Sequence, residues 1–128
     1  MALEGHRRPL IGPWHDLGPI ERFADGALQG RLVRGVRLCL GRSGDRFFAI
    51  DDTCPHAGGS LCEGMLDADL VICPLHAYGF ETATGRCIDD ESCSVRAYPV
   101  RVESGNVHVD VARPEAEAES CRGSERDE

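Results

Sequence analysis

The sequence predicts a small all-β domain, an antiparallel sandwich or barrel with many short strands around one core. Three observations predict it. Short runs of β-branched and aromatic residues recur along the chain, Gly or Pro separates them every few residues, and no segment keeps a helical period for long. At 128 residues the chain supports one domain and leaves no room for a second catalytic one.

Residues 1–13 hold Gly5, Arg7, Arg8, Pro9 and Pro13 without periodicity and read as a flexible arm. Residues 14–112 form the expected domain. Within it Leu32-Val33, Val36 to Leu40 and Arg46 to Ile50 read as strands, with Gly41 to Asp45 as the hairpin turn between the last two. Leu70-Val71-Ile72 delivers the chain to Cys73, Tyr78-Gly79-Phe80 leads it away, and Thr84-Gly85 turns it back. Val100 to Val102 and Val107 to Val111 alternate in period two, joined by Glu103 to Asn106 as a second hairpin. Pro19 to Asp25 and Gly59 to Glu63 each allow one short helical turn. Residues 113–128, beginning Arg-Pro-Glu-Ala-Glu-Ala-Glu, read as a disordered acidic tail.

Cys54-Pro55-His56 and Cys73-Pro74-Leu75-His76 carry the chemistry: two Cys-His pairs with sixteen residues between them. Each offers a thiolate and an imidazole where a strand-like run meets a turn. Zinc could use two Cys and two His, but its sites usually space them as C-x2–4-C and H-x3–5-H, unlike the C-x-H and C-x2-H found here. Cys54-Pro55-His56-Ala57-Gly58-Gly59 and Cys73-Pro74-Leu75-His76 resemble the two cluster loops of the Rieske ferredoxin family. The resemblance implies a [2Fe–2S] cluster with Cys54 and Cys73 on one iron and His56 and His76 on the other. It also implies antiparallel sheets with a small cluster-binding subdomain at one tip. Pro55 and Pro74 stiffen the loops, and Gly58 and Gly59 allow close approach and positive φ. Tyr78 is a candidate donor to cluster sulfur.

Departures from the respiratory Rieske pattern are informative. Those proteins join the loops by a disulfide at positions occupied here by Gly59 and Leu75, and place hydroxyl donors where this chain has Tyr78 and Phe80. Fewer hydrogen bonds to the sulfurs imply a low potential within the Rieske span. Val95 to Glu103 is similar to the closing segment of the small subunit of assimilatory nitrite reductase, and Gly58 to Gly64 fits the ferredoxin components of ring-hydroxylating dioxygenases. The resemblance therefore implies a one-electron carrier, not an enzyme by itself, between an NAD(P)H-dependent flavoprotein reductase and a terminal oxygenase or nitrite reductase. A non-catalytic structural subunit of such an enzyme is the alternative from a different class.

All fourteen basic residues are Arg, and the net charge is −8. Residues 1–50 carry eight Arg against five acids, whereas residues 51–110 carry three Arg against eleven acids. The half with the ligand motifs is thus acidic, which argues against nucleic acid and suits a basic docking face on a redox partner. A merely solvated surface explains the same charge. No run approaches the roughly 20 apolar residues of a membrane span. An odd count of seven Cys without a leader argues against a disulfide scaffold and for a cytoplasmic protein with one metal site. Cys39 reads as a small buried hydrophobe, and Cys62 has no expected ligand role. Cys87 and Cys93 flank a third loop, with a redox thiol pair as one reading. Cys121 falls in the tail.

Overall fold

Alternation along two adjacent strands organises the molecule. The computed structural model describes residues 14–55, 58–75 and 77–112, so the expected arm and tail lie outside the described residues. Among the described residues there are ten strands: β1 Trp14–Pro19, β2 Leu28–Val33, β3 Val36–Ser43, β4 Arg46–Asp51, β5 Met65–Asp67, β6 Leu70–Ile72, β7 Gly79–Glu81, β8 Ala97–Tyr98, β9 Val100–Glu103 and β10 Asn106–Asp110. Single 3-10 turns cover Ile20–Arg22, Leu61–Glu63 and Glu91–Cys93. Every strand pair is antiparallel, in three sheets ordered β2-β3-β4-β8, β1-β10-β9 and β5-β6-β7. The all-β expectation is met.

The four-stranded sheet is buried on both faces. Leu38 and Leu40 of β3, Ala49 of β4 and Tyr98 of β8 share one core with Leu17, Val107 and Val109 of the β1-β10-β9 sheet. Cys39, Phe48, Ile50 and Ala97, each one residue out of phase, share a second core with Val71, Phe80, Leu61, Cys54 and Cys73. Side chains of period two point to opposite faces, so a strand covered on both sides reads as a continuous apolar run. That is why Leu38-Cys39-Leu40 and Phe48-Ala49-Ile50 stand out in the sequence. One core holds the domain together, and the other lies beneath the two ligand motifs.

The first hairpin differs from expectation. β3 continues to Ser43, which pairs with Arg46, so only Gly44-Asp45 turn. Gly41 looks like a turn residue but sits in the ladder opposite Phe48, whose ring occupies the space a Cβ would need. Arg34-Gly35 and Ser104-Gly105 both take positive φ at the two turn positions (50° and 84°, 53° and 79°). Those are the mirror-image turns that match strand twist. The two short helical turns fall as 3-10 turns inside the expected spans.

β8 is only two residues long, and its attachment to β4 depends on Asp51. The Asp51 carboxylate accepts from the Tyr98 hydroxyl at 2.7 Å and from the Arg96 N–H at 3.1 Å. Burial and this carboxylate push Tyr98 up to about 12. Tyr98→Phe should cost about 1.5–3 kcal/mol at neutral pH, the value of a hydrogen bond to a charged group. Because the native pKa is raised, the contribution is full below the unfolded value of 10.0 and is lost as pH climbs toward about 12. Denaturant titrations should therefore show the gap between wild type and Y98F narrowing over that window. A gap that stays constant through it would contradict the assignment.

Candidate metal centre

Cys54 and Cys73 each open a loop that their own backbone closes. The Cys54 N–H donates to the Gly59 carbonyl at 2.8 Å, and the Gly58 N–H donates back to the Cys54 carbonyl at 2.7 Å. In the second loop the Cys73 N–H donates to the Tyr78 carbonyl at 2.8 Å, and the Ala77 N–H to the Cys73 carbonyl at 2.9 Å. The offsets from cysteine are the same, four and five residues. The residue four past each cysteine is left-handed, Gly58 at φ 77° and Ala77 at φ 58°. A proline follows each cysteine, with its φ already set for a turn.

The loops are also fastened to one another. At the stem, a Cβ on Gly64 would run into the Ile72 carbonyl oxygen and lie 3.2 Å from Cδ of Pro74. At the tip, a Cβ on Gly59 would stand 2.9 Å from Cδ1 of Leu75. Leu75 thus packs onto bare backbone at the two positions where the respiratory pattern carries its disulfide. Leu75 remains 59% exposed, so the contact covers the loop tips only in part.

Asp52 closes the base of the first loop. It is 2% exposed, and its Oδ2 accepts from the Ser60 hydroxyl at 2.7 Å while Oδ1 accepts from the Cys62 N–H at 2.9 Å. Arg37 lies 3.7 Å from the same carboxylate, and the Leu61 N–H donates to the Asp52 carbonyl. A buried carboxylate is tolerable only when its lone pairs are filled in this way. Its role was not read from the sequence; the signal available was an acid two residues before Cys54 with a serine eight residues on.

Cys54 and Cys73 are 0% and 1% exposed, in no disulfide, and in the same core. Two buried thiols at the mouths of rigid, facing loops suit an iron–sulfur group, whose cysteines must be held without relaxing. His56 and His76 lie outside the described residues. Among the described residues no group of three His, Cys, Asp or Glu side chains converges. Tyr78 is half-buried beside the same core, Pro74 is exposed, and Phe80 is fully buried with no donor to offer. Burial pushes the thiols of Cys39, Cys62 and Cys87 upward, away from ionisation, which fits packing. Cys87 is a free thiol, so it is not bridged to Cys93.

An antiparallel β-domain with paired cysteine loops over one end of its core belongs to the class of small iron–sulfur proteins. Residues 13–110 match the Rieske-like [2Fe-2S] domain family, and the chain is a member of that family. It is similar to the anthranilate 1,2-dioxygenase ferredoxin subunit of Burkholderia cepacia, 34% identical over 103 residues, covering 79% of this chain and 94% of the relative. Among solved structures it is similar to the ferredoxin of carbazole 1,9a-dioxygenase from Nocardioides aromaticivorans (28% identity, TM-score 0.72, 77% and 97% covered). It is also similar to a Mycobacterium tuberculosis protein described as an NADH-dependent nitrite reductase small subunit (26% identity, TM-score 0.72, 77% and 95% covered). No helix among the described residues is long and apolar enough to cross a membrane.

Two glycine variants separate contact from conformation at this site. Gly64→Ala must displace the Ile72 carbonyl and should cost about 2–3 kcal/mol. Gly58→Ala meets nothing within 4 Å and should cost only the left-handed penalty, about 1–2 kcal/mol. Equilibrium denaturation gives both values, and a reversed order would contradict the packing of the stem.

Proposed function

We propose that this protein is a low-potential Rieske ferredoxin, a one-electron carrier and not an enzyme by itself. Cys54 and Cys73 would hold one iron of a [2Fe–2S] cluster, and His56 and His76 the other. The observation that carries this reading is the matched backbone closure around two buried cysteines, each followed by proline and histidine in sequence. When bound, the cluster supplies reversible one-electron chemistry at a potential raised by its imidazoles. The chain's own part is to keep two thiolates dry, fix the loops, and limit donors to the sulfurs. Phe80 can donate nothing, and Leu75 on Gly59 replaces a bridge with a contact.

The donor in this proposal is an NAD(P)H-dependent flavoprotein reductase and the acceptor a terminal oxygenase, in a cytoplasmic system. Its ferredoxin relatives of dioxygenase systems support the oxygenase as acceptor. A second reading, the small Rieske subunit of a nitrite reductase, is favoured by the likeness to the Mycobacterium tuberculosis protein. In both readings the acidic surface around the third loop meets a basic partner.

Anaerobically purified protein should contain two irons and two acid-labile sulfides per chain, with a rhombic EPR signal of low average g after dithionite. Cys54→Ser and Cys73→Ser should each abolish it. Zinc in place of iron, or a folded chain without metal, would move the case to a structural subunit. Voltammetry should place the midpoint nearer about −150 mV than +300 mV; a value well above zero would overturn the low-potential assignment.

A further inference from the structure

The segment from Arg86 to Val95 is a surface loop that is braced like a core element. Arg86 bridges Glu81 and Glu91 at 2.9 and 2.7 Å. The Ser94 hydroxyl accepts from the Cys87 N–H and donates to the Glu91 carbonyl, both at 3.1 Å. Asp90 caps the Glu91–Cys93 turn through the Ser92 N–H and hydroxyl. At its root Gly85, at φ 81°, lies where a Cβ would strike the Val95 carbonyl. Ordinary connecting loops lack such bracing.

What the braced loop reaches is Gly79, the residue immediately past the second ligand loop. Both main-chain polar groups of Gly79 are spent on it. Its buried N–H donates to Oδ2 of Asp89 at 2.7 Å, and its carbonyl accepts from the Ile88 N–H at 2.9 Å. Cys73 is tied to Tyr78, one residue earlier. Without Asp89 the buried Gly79 amide would lose its acceptor, a cost the backbone avoids by moving.

We infer that Asp89 is a positioning residue for the cluster: through the Gly79 amide it locks the exit of the loop that carries Cys73 and His76. This rests on the ferredoxin reading above. The carboxylate accepts at a site where an amide oxygen of the same shape could also accept, so holding and charge are separable. Its charge beside the second loop additionally disfavours the reduced, more negative state.

The test compares cluster-loaded wild type with Asp89→Asn and Asp89→Ala. Cluster lifetime is followed by visible absorbance under a chelator, and the midpoint by voltammetry. Asp89→Asn should keep a wild-type lifetime while shifting the midpoint positive. Asp89→Ala should shorten the lifetime by about tenfold or more, as expected for one lost hydrogen bond to a buried amide, with circular dichroism of the native fold retained. An Asp89→Ala lifetime within about twofold of wild type overturns the inference, as does an Asn variant no longer-lived than the Ala variant. Wild-type protein that takes up no iron overturns the ferredoxin reading itself, and this role with it.

Discussion

The amide and carbonyl of one cysteine hold each ligand loop shut, and the rest of the site depends on that closure. It forces a left-handed residue four positions on, which explains Gly58 and leaves Ala77 as a non-glycine residue at φ 58°. It is indifferent to where histidine falls, two residues past Cys54 and three past Cys73. A single backbone device thus serves two loops of different sequence. The loops then differ only in what secures them from outside: Asp52 at the base of the first, Asp89 at the exit of the second.

A carrier of single electrons needs its ligands held in one geometry before and after the electron arrives. The two-faced central sheet provides the foundation. Its Cys39, Phe48, Ile50 and Ala97 face packs against Val71, Phe80, Cys54 and Cys73, while the opposite face anchors the β1-β10-β9 sheet. Any shift of Cys54 or Cys73 would have to disturb a core that is close-packed against this sheet. The short β5-β6-β7 sheet contributes Val71 and Phe80 to that core and brings Cys73 up beside the first loop, with Gly64 allowing the stems to touch.

Strands with strong alternation or continuous apolar character were legible in the sequence: β3, β4, β6, β9 and β10 fall where the pattern puts them. β1 was not, because Gly18 and Pro19 break it, one inward residue, Leu17, carries its burial, and its register shifts between Asp16 and Gly18. β2 was legible only at Leu32-Val33. Its first half is an edge strand in which Gly30 makes room for Sγ of Cys62, a demand set by tertiary structure. The candidate ligands Cys54 and Cys73 stand out in the sequence because residue type and spacing would carry their chemistry. Asp52 and Asp89 do not, because what they bind is backbone, and a backbone amide leaves no mark in a sequence.

Those two carboxylates join rigidity to potential. A neutral acceptor could fill either position, but an anion makes the stronger hydrogen bond. On the ferredoxin reading such anions would oppose addition of an electron, an effect that Arg37 partly offsets at Asp52. The respiratory pattern joins its loops with a neutral disulfide and supplies hydroxyl donors to the sulfurs; this chain has Gly59 under Leu75, Phe80 without a donor, and carboxylates at the base of the first loop and the exit of the second. On the ferredoxin reading, the groups that tighten the loops are therefore also groups that would act on the potential.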